Sequence, residues 1–180
     1  MKNLLPTFVI ALMCVLPLFS VGQVVINEFS ASNYSLGVGG DNEDFLELYN
    51  ADAADADISG YFLSDDPADP EKFEIPGGTT VPAGGYLLIS CSAEGEIPGN
   101  LYVGGLLNTS FKITQTMGES IVFSDDNGSI LESYTFGTDW TPTRADHSWS
   151  RDADGPSGNW MVCTDPTPGF GPAGGLYEDY

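Results

Sequence analysis

Apolar residues in this chain come in short runs, many of them alternating with polar ones, and Gly, Pro, Asp and Asn gather between the runs. The runs are VVINEFSA (24–31), DFLELYN (44–50), GYFLSD (60–65), KFEI (72–75), GYLLISCS (85–92), SFKIT (110–114), ESIVFS (119–124), SILESYTF (129–136), HSWSR (147–151) and NWMVCT (159–164). No window sustains the 3.6-residue period of a helix. Short runs of period two, bounded by turn formers, predict strands, and their spacing predicts an all-β sandwich or barrel. Asp126-Asn127-Gly128, between two runs, predicts a tight hairpin because Asn and Gly tolerate positive φ.

In a strand, alternate residues share a face. Within 44–50, Leu46 and Leu48 read as the core face, and Phe45, Glu47 and Tyr49 as the outer or rim face. Glu47 is then an isolated charge on the wet side, while Asp41, Glu43 and Asp44 belong to the loop before the strand. Within 24–31, strict alternation puts Val25, Asn27 and Phe29 on one face and Val24, Ile26 and Glu28 on the other. Glu28 and Glu47 can lie on adjacent strands, and two carboxylates paired in a cleft can divide acid and base roles. The simpler expectation is that both face water.

Charge sharpens this picture. The 180 residues carry 26 acids, five bases and one histidine, a formal charge of −21. The acids are interleaved with Phe, Tyr, Trp, Ile and Leu, so a core can form and the chain is not read as disordered. The first 22 residues have one Lys, an apolar run from Leu4, and small residues at Ser20 and Gly22, the pattern of a secretory signal peptide. Its removal leaves 158 residues, one domain's worth, with Lys72, Lys112, Arg144 and Arg151 against 26 acids, a charge of −22. Such a surface repels nucleic acid and anionic lipid and attracts divalent cations. The expected location is secreted or cell-surface, with no membrane span after cleavage.

Candidate chemistry is sparse. His147 is the lone histidine, and in a strand its neighbour Asp146 points away from it, so no Ser–His–Asp arrangement is expected. No nucleophile elbow, P-loop or dinucleotide fingerprint appears. Zinc lacks a short Cys pair. Calcium is the one metal with candidates: Asp65, Asp66 and Asp69 in one loop, Asp152 and Asp154 in another. Calcium needs six to eight oxygens. The loop from Asp152 departs from an EF-hand at Pro156 and Cys163, and the alternative is that these acids are turn formers. Trp140, flanked by Asp139 and Thr141, is the aromatic expected to be exposed for a protein or carbohydrate partner.

The order of segments adds a resemblance. VVINEFSASN, EDFLELYN, ISGYFLSDD and IPGGTTVPAGGYLLI, followed by TSFKIT, GESIVFSDDNGSILES, SRDADGPSGNW and TDPTPGFGP, resembles the lamin tail domain family over about residues 24–172. Phe45 stands where many relatives carry Trp. The resemblance implies an immunoglobulin-like β-sandwich of the bacterial secreted type, covering 23–172, without catalysis or cofactor. It implies an adhesion or interaction module. The alternatives are an N-terminal accessory domain of a larger secreted or surface enzyme, such as a hydrolase or a spore-coat kinase-like protein, and a calcium-dependent hydrolase. Residues 173–180 read as a linker or tail. Cys91 and Cys163 are the two cysteines left after leader removal, and an oxidising compartment makes a disulfide between them the expectation. Some relatives resemble this chain in carrying both. The alternative is two buried thiols acting as small hydrophobes.

Overall fold

Strands form at most of the places the pattern marks. The computed structural model describes residues 24–115, 118–137 and 144–171, and the backbone of 177–178. The expected leader, 1–22, and Trp140 lie outside the described residues. In chain order the strands are β1 (Val24–Ser30), β2 (Phe45–Asn50), β3 (Ala56–Asp57), β4 (Phe62–Ser64), β5 (Phe73–Glu74), β6 (Thr80–Val81) and β7 (Tyr86–Ser90). There follow β8 (Tyr102–Val103), β9 (Leu106–Asn108), β10 (Glu119–Ser124), β11 (Ile130–Phe136), β12 (Ser148–Arg151), β13 (Trp160–Cys163) and β14 (Tyr177–Glu178).

They assemble into a large sheet of order β14-β13-β12-β1-β2-β7-β9-β8, a smaller one of order β11-β10-β4-β5, and a minor β3-β6 pair. Pairing is antiparallel except between β7 and β9. The two main sheets face each other across one core, to which Ile26, Phe29, Leu46, Leu48 and Ile89 contribute from one side and Leu63, Phe73, Ile121, Phe123 and Phe136 from the other. This is the all-β sandwich expected. Each such side chain removed from water stabilises the fold by about 1.5–3 kcal/mol.

The hairpin at Asp125–Ser129 forms as its residues dictate. The Asp125 carboxylate accepts the Asn127 and Ser129 amides, and Gly128 takes a φ of 75°. The run 110–114 does not become a strand. Phe111 and Ile113 are buried in the core, but the only ladder contact there among the described residues is an isolated bridge between Lys112 and Ser92.

Two expectations are corrected by topology. Strict alternation in β1 fails at Asn27, where a bulge shifts the register so that Ile26 opposes Leu48 and Glu28 opposes Glu47. Phe29 therefore joins Ile26 in the core, and Glu28 moves to the outer face. The second correction is the Cys91–Cys163 bridge, since both are free thiols. Cys91 follows β7 and packs in the core, whereas Cys163 ends β13 and pairs with Ser148 on the outer side. Four strand intervals separate β7 from β13. At about 4.8 Å per interval that is ~19 Å, and a disulfide needs its Cα atoms within about 7 Å. Cys163 instead donates to the Asp165 carbonyl at 3.2 Å.

Candidate functional site

The bulge at Asn27 brings five polar side chains, Asn27, Glu28, Glu47, Tyr86 and Asp154, together on the outer face of the large sheet. A bulge adds one residue to a strand and re-aims the side chains beside it. Glu28 and Glu47 end up side by side on β1 and β2, and both are buried. This overturns the expectation that they face water. Asn27 donates from Nδ2 to Glu47 Oε1 at 3.1 Å and to Asp154 Oδ1 at 3.0 Å, and its Oδ1 accepts the Gly155 amide at 3.2 Å. Tyr86 on β7 donates its hydroxyl to Asp154 Oδ2 at 2.6 Å.

The cover over these acids is the segment after β13. Thr167 donates its amide to Glu28 at 3.1 Å and its hydroxyl to the same carboxylate at 3.2 Å. Ser148 adds its hydroxyl to Glu28 at 2.5 Å. Gly169 donates its amide to Glu47 Oε2 at 2.5 Å. A φ of 85° at Gly169, a conformation that residues with a Cβ rarely adopt, belongs to the turn carrying that N–H. The two glutamates thus act as docking points for backbone that has no strand partner of its own.

Burial sets their titration. It raises Glu28, opposed by the bonds from Ser148 and Thr167. It pushes Glu47 up to about 8, opposed by Gly169 and Asn27 and reinforced by the neighbouring Glu28 and Asp154. Tyr86 is raised by the same burial and by its bond to Asp154. Carboxyls shifted this way are a signature of functional sites, but buried structural networks give the same shift. What separates the two is access, and both carboxyls here are covered by the chain itself.

The remaining candidates are dispersed. The His147 ring nitrogen Nδ1 lies 2.9 Å from the Ala145 carbonyl, and Asp146 is turned away to accept the Tyr34 and Ser35 amides at 2.7 and 2.8 Å. Ser148, next to His147, is committed to Glu28. Asp65 pairs with Lys72 at 2.5 Å, Asp66 accepts the Ala68 amide, and Asp69 donates its own amide to the Asp66 carbonyl. Asp152 accepts from the Asn159 amide and side chain, which hold its carboxyl below the usual range. Asp154 belongs to the Asn27 network. The described residues contain no group of three or more His, Cys, Asp or Glu placed to share a metal ion.

Sequence reasoning missed two further features. Asp44, read as a loop acid, is pushed up to about 6 by burial and accepts the Asn33 amide at 3.3 Å, in a small cleft shared with Tyr34, Lys112 and Gln115. Arg151 is buried between the sheets. It forms an ion pair with Glu132 of β11, and it donates to the carbonyls of Ile26 and Gly158, each at 2.8 Å. Glu132 in turn accepts the Ile26 amide at 2.8 Å. The bulge leaves the Ile26 peptide groups beyond the β12 ladder, and this pair satisfies them.

Comparison with known proteins places the chain in a family. The family profile described as Lamin Tail Domain covers residues 18–138, more than half of the chain. No curated protein and no solved structure matches. The sandwich extends past residue 138, since β12 and β13 continue the sheet that β1 and β2 begin.

Proposed function

The chain belongs to the lamin tail domain family, and from that membership together with its buried acid network we propose that it is a secreted or surface-exposed binding module without catalytic activity. The family is one of immunoglobulin-like, non-enzymatic interaction domains. The observation that carries the reading for this chain is the occupancy of Glu28 and Glu47. An acid–base pair needs at least one carboxyl within reach of a substrate proton. Here the oxygens of both accept hydrogen bonds from the protein, chiefly from Thr167, Ser148, Gly169 and Asn27.

Export is supported by the leader pattern of residues 1–22. The formal charge of −21 favours partners that are neutral or basic and disfavours nucleic acid. The module works without a cofactor, its carboxylates serving as turn anchors and hydrogen-bond acceptors. A screen against esters, phosphoesters, glycosides and DNA, run with and without calcium, tests this. No turnover and no calcium-dependent rise in melting temperature are expected. Turnover abolished by Glu47→Gln, or a shift of several degrees abolished by Asp154→Asn, contradicts the reading.

A further inference from the structure

β7 is paired along its whole length on one side only. β2 runs beside it from Tyr86 to Ser90, whereas β9 joins the other side only at Ile89 and Ser90. Tyr86, Leu87 and Leu88 therefore border a gap in the large sheet, about 10 Å long at the rise of a β-strand. The gap belongs to a cleft of about 310 Å³, at the small end of the range for ligand sites. Thr79 and Thr80 line it together with Tyr86 and Leu88, and the β8–β9 hairpin contributes Tyr102 and Leu106.

The strand register fixes what the backbone presents there. The Asn50 amide bonds the Gly85 carbonyl, and the Cys91 amide bonds the Asp44 carbonyl. In an antiparallel pair, backbone groups point to the partner strand at alternate residues. Leu87 and Ile89 thus address β2, while the amides of Tyr86 and Leu88 point into the gap. Tyr102 is 54 % exposed, Thr80 is exposed, and Leu88 and Leu106 are half-buried. An apolar lining with a few polar groups at fixed positions is the make-up of a small-ligand site.

Charge and length select the occupant. No side chain lining this cleft is acidic or basic. That sets it apart in a chain with 26 acids, where the cleft at Asp65, Asp66 and Glu119 and the cleft at Glu43 and Asp44 each hold carboxylates beside a lysine. A charged ligand entering here gives up hydration with no opposite charge to replace it. The gap is also too short for an added peptide strand, which typically runs five or six residues, because β9 occupies the edge from Ile89 onward. A sugar ring meets both conditions. It is uncharged and short, apolar on its C–H faces and rimmed with hydroxyls. Tyr has the matching character, an apolar body with a polar tip.

We propose that this cleft is a binding site for a short neutral stretch of a carbohydrate chain. The Tyr102 ring supplies the stacking surface, and the Thr79 and Thr80 hydroxyls with the Tyr86 and Leu88 amides supply hydrogen bonds to the sugar rim. The proposal rests on the reading of the chain as a non-catalytic binding module.

The test titrates the intact, isotope-labelled protein with neutral tetrasaccharides of glucose, mannose, galactose and xylose, and follows the backbone amides by NMR. Saturable shifts centred on 78–80, 86–88 and 102–107 are expected with at least one of the four. Tyr102→Ala, a change at an exposed side chain that leaves the core intact, is expected to weaken that binding at least about tenfold, whereas Tyr102→Phe keeps it. A tetragalacturonate that binds as well as the neutral sugars overturns the selection by charge. No saturable shift with any of the four, shifts centred elsewhere, or binding unchanged in Tyr102→Ala overturns the site. So does a neutral Val-Ser peptide that fills the cleft when no sugar does. Chromatography of the same mixtures separates the two claims. Intact sugar with no shift in the cleft sinks only the site, whereas shortened sugar sinks the non-catalytic reading.

Discussion

Asn27 is a single extra residue in β1, and it decides on which side of the sheet a carboxylate sits. Were Asn27 paired in regular alternation instead of bulged, Glu28 would fall on the Ile26 face, inside the sandwich, where an unpaired charge costs several kcal/mol or is forced neutral. With the bulge, Glu28 meets Glu47 under the cover of 167–169. The consequence for pH can be signed. Glu47 rises from its ordinary 4.5 to about 8 in the folded state. Between those values the folded chain holds a proton that the unfolded chain has released. The stability contributed by Glu47 is therefore fully present below pH 4.5 and is lost as pH rises towards 8. The slope is at most about 1.4 kcal/mol per pH unit. Asp44 acts in the same direction up to about 6, in the wild type and in any Glu47 variant alike. Urea midpoints at pH 5 and pH 8 are expected to fall more steeply for the wild type than for Glu47→Gln. Equal slopes contradict burial of Glu47.

At the scale of elements, the Glu132–Arg151 pair ties β11 of one sheet to β12 of the other and closes the Ile26 backbone groups. Arg151→Ala leaves Glu132 and the Ile26 carbonyl without that partner. A loss of about 3 kcal/mol in chemical unfolding is expected, at the low end for a buried pair because Glu132 is partly exposed. Arg151→Ala/Glu132→Gln should recover part of it. A loss under about 0.5 kcal/mol, the range of ordinary surface changes, contradicts the buried bridge. The same elements show what the sequence carried. β10 coincides with the run ESIVFS, and Leu46 and Leu48 are core as alternation predicts. The run SFKIT misled because alternation reports which side chains are buried, not which backbones find a ladder partner. β3, β6, β8 and β9 have two or three residues, too few to show a period. The cover at 167–169 was illegible because much of what binds there is backbone N–H, which side-chain pattern does not encode. The cysteines were legible as two thiols, but not as residues four strands apart. The bulge left one trace: strict alternation put Glu28 on the Ile26 face and Phe29 on the other.

At the scale of the whole molecule, one sandwich core is closed on its outer face by the chain's own later segment. Residues beyond the family match are integral to that body, because β12, β13 and the 167–169 cover complete the surroundings of Glu28 and Glu47. The central claim is that these carboxylates are occupied structurally and are closed to substrate. Native-state hydrogen exchange tests it most directly, since amides that open only with global unfolding share its free energy. The Thr167 and Gly169 amides are expected to exchange as slowly as those of β1 and β2, through global unfolding. Exchange at those two amides within seconds, while β1 and β2 stay protected, would show the acid pair open to solvent and contradict the account.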